Sequence, residues 1–207
     1  MATLRLPRYA GGMRRSIVLA AALVVAGCSA ASAPPAPRVD GLCAAGEYDP
    51  PIASLDGRVP VFRAEDAGSV WLCFDLPDGG FAGGEFTVES PALRAPLVLH
   101  VSAQLGEWYA DEADRKPTAP DSPDWWNNEG WTAVPAAFNG MTVHNGAPAP
   151  NFRPGRDQEF QFDKDRFGDG PLTMTGRFFA VAGPDGTPGA LDVADDAGRP
   201  LDVGRTR

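Results

Sequence analysis

Beyond its N-terminal region the 207-residue chain has no segment with apolar residues at helical spacing, which argues against a helical domain. Histidine is nearly absent: there are two, His100 and His144, and neither has a Cys or His partner at metal-ligand spacing. No zinc site is expected from them, and a lone histidine in a strand reads as structural. The chain lacks a G-x-S-x-G nucleophile elbow and a glycine-rich phosphate loop leading into a helix. With no triad, metal set or cofactor motif, no cofactor is expected and catalysis is the less favoured class of function. Cysteine is scarce, with three residues: Cys28, Cys43 and Cys73.

What is present begins with a basic stretch, Met13-Arg14-Arg15-Ser16, followed by an apolar run from Ile17 to Gly27. This is the anatomy of a secretory signal, and the run falls short of the ~20 residues that a membrane-spanning helix needs. Val25-Ala26-Gly27-Cys28 resembles the lipobox of bacterial lipoproteins. The resemblance covers the export signal alone, and it implies cleavage before Cys28 and lipid on the Cys28 thiol. It makes a membrane the first expected partner. Residues 1–27 then read as signal peptide, with Met13 as an alternative start, and residues 28–39 as a lipidated tether of small residues and prolines. Residues 40–207 read as a single β-rich domain. Ser29 follows the cysteine where inner-membrane lipoproteins of proteobacteria often carry aspartate. By that resemblance the expected location is the outer membrane, facing the periplasm.

Removal of residues 1–27 leaves 14 basic against 27 acidic side chains, a net charge of −13. Such a chain is repelled by phosphate backbones, so no nucleic acid partner is expected. Export also places Cys43 and Cys73 in an oxidising compartment, where one disulfide is the favoured reading and two buried thiols the alternative.

Alternation of two residue classes marks the strands. Val70, Leu72 and Phe74 alternate with Trp71 and Cys73, and Leu97 through Leu105 reads as one strand with two faces. Further strands are expected at 59–63, 85–89, 141–144, 159–162 and 172–181, separated by turn residues such as Pro77-Asp78-Gly79-Gly80. The fold class is therefore all-β, an antiparallel β-sandwich or, less favoured, a partly open barrel.

One segment, Trp108 to Gly130, breaks this rhythm and reads as a long ordered loop. Trp108, Tyr109, Trp125, Trp126 and Trp131 lie in or beside it, with Asn127 and Asn128 between them. Two readings stand. The indoles fold inward and pin the loop, or their faces stack on sugar rings while the amides bond hydroxyls. Asp163, Asp165 and Asp169 have the spacing of a calcium loop, but Phe167 and Met174 stand where oxygen ligands belong, so a tight turn is favoured over an ion. Acidic pairs such as Glu107 with Glu129, or Asp111 with Glu112, are the only material for a carboxylate-based glycan hydrolase. The expected function is thus a membrane-anchored, extracytoplasmic domain for binding or envelope structure, with an envelope glycan or protein as partner. Carbohydrate binding through the Trp108–Trp131 segment and glycan hydrolysis are the alternatives.

Overall fold

The computed structural model describes residues 36–204, except 145 and 153–156. Signal peptide, lipobox and Cys28 therefore lie outside the described residues, as does the part of the tether before Ala36. The described body is a sandwich of two antiparallel sheets, not a closed barrel. The first sheet has the order β1 (Ala53–Leu55), β2 (Val59–Glu65), β3 (Ser69–Phe74), β10 (Gln158–Asp163) and β7 (Trp131–Ala133). The second has the order β12 (Pro188–Val193), β11 (Thr173–Ala182), β4 (Phe81–Glu89), β5 (Leu97–Val101) and β6 (Leu105–Tyr109), with β13 (Leu201–Asp202) also paired to β11. A separate ribbon pairs β8 (Phe138–His144) with β9 (Ala147–Phe152).

Four phenylalanines join the two sheets. Phe74 and Phe160 come from the first sheet, Phe86 and Phe178 from the second, and all are fully buried. They meet edge to face around a closed ring, with centroids 5.0 to 6.0 Å apart. Such contacts add about 0.5–1.5 kcal/mol each to the burial of the rings. Gly176 lies opposite Phe86 and Gly84 opposite Phe178. A Cβ on Gly176 would approach the Phe86 Cα to 2.6 Å, and its φ of +146° suits glycine. The rings thus lie over glycines on the neighbouring strand, which leaves them room to meet.

The segment expected as one strand from Leu97 to Leu105 is instead a hairpin of β5 and β6. Its three-residue turn, Ser102-Ala103-Gln104, is closed by the Ser102 N–H on the Gln104 carbonyl. Val101 pairs directly with Leu105, so odd-numbered residues point inward on both sides of the turn and the alternation runs on unbroken. The long loop is also shorter than expected. Trp108 and Tyr109 complete β6, and Ala110–Arg115 forms a short 3-10 helix before the irregular stretch from 116 to 130.

Cys43 and Cys73 form a disulfide. Among the described residues the buried core runs from Leu55 to Val203. With the cysteines 30 positions apart, the bridge contributes about 3–4 kcal/mol by limiting the unfolded chain. At roughly 2–4 °C per kcal/mol for a domain of this size, reduction is expected to lower the melting temperature by about 10 °C. Calorimetry with and without reductant checks this; an unchanged melt after confirmed reduction contradicts it.

Candidate functional site

The second sheet's outer face carries the candidate site. Because the pleat alternates, Val98, His100, Gly106 and Trp108 point outward from β5 and β6, while Glu107 and Tyr109 point inward. β6 is the edge strand of its sheet, and an edge leaves backbone groups unpaired. The stretch from 116 to 130 folds over that edge and satisfies it. The Trp126 N–H donates to the Leu105 carbonyl at 2.7 Å. The Asn127 side chain does the work of a neighbouring strand: its Oδ1 accepts the Glu107 N–H at 2.7 Å, and its Nδ2 donates to the Glu107 carbonyl at 2.9 Å.

The indoles separate into two groups. Trp108 and Trp131 are buried. Trp125 is half-buried, lying on the backbone of Gly106 and 4.9 Å from the His100 ring, with its Nε1 donating to the Ala119 carbonyl. Trp126 is 55% exposed and has a φ of +64°, unusual for a bulky residue. Its neighbours on both sides are fixed to β6, so the chain can satisfy the edge only by turning the Trp126 indole outward. Tyr109 is covered by the Arg94 guanidinium, 3.6 Å above its ring. The two asparagines are occupied within the chain, Asn127 on β6 and Asn128 on the Trp131 carbonyl.

Between the end of β6 and the covering stretch lies a cleft of about 910 Å³, lined among others by Trp108, Lys116, Asp121, Asp124 and Asn127. Neither Trp125 nor Trp126 lines it. Of the aromatic residues grouped by sequence, Trp108 and Tyr109 line the cleft, together with Asn127.

Glu107 is tied up in an ion pair. Its carboxylate receives Arg166 Nη2 on Oε1 at 2.6 Å, and Arg166 Nη1 on Oε2 at 2.8 Å. Trp131 Nε1 and the Glu129 N–H donate to Oε2 as well. With both oxygens occupied by donors of the chain itself, the geometry gives the hydrolase reading no support through Glu107. Asp111 and Glu112 bond Arg94 at the surface.

The calcium-like stretch forms a four-residue helix, α1 (Lys164–Phe167), ended by Gly168 at a φ of +74°. Asp163 accepts from Gln161 and Ser69, Asp165 is exposed, and Asp169 lies 3.6 Å from Lys164. The one triad of metal-ligand type converging within 4.8 Å among the described residues is Cys43, Cys73 and Asp157, and both of its sulfurs are spent in the disulfide.

Sequence reasoning missed Glu159, which is fully buried on the outer face of the first sheet, opposite Cys73. Its Oε2 accepts the N–H groups of Asp40, Gly41 and Leu42 at 2.7, 2.6 and 3.2 Å, and its Oε1 accepts the Tyr48 hydroxyl. Burial pushes the Glu159 carboxyl above its ordinary range against these bonds, and burial likewise raises Tyr48. Only an acidic residue in a core-like strand hinted at this in the sequence, because its partners lie more than 100 positions away.

On the outer face of the second sheet, Glu85 pairs with Lys116 and with His100 Nδ1 at 3.3 Å. Burial holds His100 below the ordinary imidazole range despite the Glu85 carboxylate. Burial works against the Glu85 anion, but Lys116 and then His100 outweigh it and lower Glu85. The side chain of His144 lies outside the described residues. Comparison with protein-family models, curated proteins and solved structures finds no match for this chain.

His100 and Glu85 both bind fewer protons in the folded state than in the unfolded chain. Their stabilisation is present above their ordinary values and is lost as pH falls through the lowered ones. We expect the melting temperature to fall on acidification below 6.5, the ordinary imidazole value. His100→Gln should flatten that part of the profile; a profile of unchanged slope in the variant removes His100 from the account.

Proposed function

We propose that this chain is a lipoprotein, tethered by acyl chains on Cys28 to a bacterial envelope membrane, whose β-sandwich serves binding or envelope structure rather than catalysis. The observation that carries the reading is how the sandwich receives the chain that follows Cys28. Residues 40–43 enter through three N–H groups on Glu159 and are cross-linked by Cys43 to Cys73. A disulfide of this kind persists in oxidising compartments, in keeping with export. It also grips β3, the central strand of its sheet, where a pull on the tether meets the most hydrogen bonds. One acyl chain binds a membrane only reversibly, so stable anchoring takes more than one.

Intact-mass spectrometry of the membrane fraction tests this. The expected species begins at Cys28 and carries the mass of a diacylglycerol modification, and Cys28→Ala should leave unprocessed precursor. A chain of unmodified mass, or one cleaved elsewhere, overturns the anchor.

Glycan recognition is a second reading, favoured by Trp126, an indole 55% exposed on a backbone of φ +64°. Sugar rings stack on such faces. Titrating the protein with cell-wall glycan fragments while following tryptophan emission should give saturable quenching that Trp126→Ala removes. A flat titration leaves Trp126 as the by-product of covering the β6 edge.

A further inference from the structure

The ribbon of β8 and β9 stands apart from both sheets, its strands pairing only with each other. Val143 lies opposite Pro148 and Met141 opposite Pro150. Residues directly opposite share a face, so Met141, Val143 and Pro148 line one side of the ribbon. All three are exposed, Met141 at 62% and Val143 at 71%. Throughout residues 130–152 there is no Asp, Glu, Lys or Arg, in a chain that is 22% charged. An apolar, uncharged arm on an acidic protein needs an occupant for its face.

We infer that this ribbon is a membrane-contacting arm, which lays its Met141–Val143 face into the interface of the bilayer that anchors the chain. The inference rests on the anchor at Cys28 proposed above. Three observations favour lipid over protein. The first is position. Gly41 lies 3.5 Å, measured from an ideal Cβ, from a methyl of Val134 and 3.7 Å from the Asp157 carbonyl. The Cys43 N–H donates to Asp157 at 2.6 Å. Val134 and Asp157 flank the ribbon on either side in sequence, so tether and ribbon leave the sandwich at one place. Between Cys28 and Asp40 the chain spans at most about 40 Å, and the seven residues of β8 extend about 23 Å. An anchored body is thus held within reach of the bilayer at the end that bears the arm.

The second is the backbone. Proline has no N–H, so the Val143–Pro148 and Met141–Pro150 pairs are the kind that exchange no ladder bonds, and their free positions face the edge. Along β9 those edge positions therefore present no N–H that would lose water on entering an apolar phase. The same prolines block a further strand from pairing along β9. The third is charge. A protein-binding surface normally keeps a rim with charged residues, whereas residues 130–152 contain no Asp, Glu, Lys or Arg. A net charge of −13 after processing keeps the rest of the domain away from anionic head groups, leaving the arm as the part that can approach them.

The test uses a chain beginning at Ala36, which retains both sheets, the buried core from Leu55 to Val203 and the disulfide, and which cannot be lipidated. Its co-sedimentation with phosphatidylcholine vesicles is expected at millimolar lipid, and Met141→Asp with Val143→Asp should weaken partitioning by roughly tenfold or more while leaving the melt unchanged. No sedimentation, or sedimentation indifferent to the double variant, overturns the arm. So does self-association in the absence of vesicles that the double variant abolishes, since the face then belongs to a second copy. Because this chain lacks Cys28, its outcome is independent of the mass measurement that decides the anchor.

Discussion

An open sandwich has to close the gap between its sheets, and here a helix of four residues does it with two cations. Arg166 reaches Glu107 on the edge strand of the second sheet, and Lys164 reaches Glu65 on β2 of the first. Between them Phe167 enters the core, 5.2 Å from Phe162 and edge to face with it. The Arg166–Glu107 pair is part-buried, and an ion pair drawn out of water repays its desolvation only if its remaining hydrogen-bonding groups are satisfied. Glu107 meets that condition through Trp131 and the Glu129 N–H, and Arg166 through the Glu129 carbonyl. The requirement propagates: residues 127–131 must lie where they satisfy the pair, and the covering stretch is thereby drawn over the β6 edge.

The same arrangement accounts for the calcium-like spacing. Acidic residues and glycines here surround a turn whose positive charge comes from the chain itself. Lys164 takes Glu65, the Asp66 carbonyl and Asp169 around its ammonium, as a bound cation would. Hydrogen bonding to Glu65 raises Lys164 above its ordinary range and, with Arg63, lowers Glu65. Arg63 is buried beside them and donates to the Val203 carbonyl, so the C-terminal segment is fastened to the same network.

The strands that bury one face were legible, because Leu97, Leu99 and Val101 must alternate with the half-buried Val98 and His100 where the pleat meets a core. Alternation also concealed the β5–β6 hairpin: an odd-length turn keeps the same parity on both sides, and Ser102-Ala103-Gln104 carries no glycine to mark it. The ribbon's second strand, Ala147–Phe152, escaped because alternating alanine and proline resemble a linker, although Asn145-Gly146 is a strong hairpin signal. β12 and the two-residue β13 were missed as well. Among the tryptophans, sequence proximity was a poor guide to exposure. Trp108 and Trp131 lie in strands, where position on the pleat and ion-pair chemistry decide their burial, while Trp126 is turned out where its own N–H and the side chain of Asn127 bond β6.

What sequence could not disclose is a class of interaction rather than a set of residues. Glu159 with Gly41, Glu107 with Arg166 and Cys43 with Asp157 are contacts between groups separated by 118, 59 and 114 positions. Each joins a charged group to a partner that no periodicity announces. Their consequence is mechanical. Cys43 ties the entering chain covalently to β3, which is flanked by β2 and β10, and Glu159 grips the preceding three residues from β10 itself. A pull on the entering chain would therefore be shared between two adjacent interior strands instead of being applied to an edge strand, which could peel one hydrogen bond at a time. The buried Glu159 would be costly on its own account, and the three N–H groups of the entering chain with the Tyr48 hydroxyl compensate it.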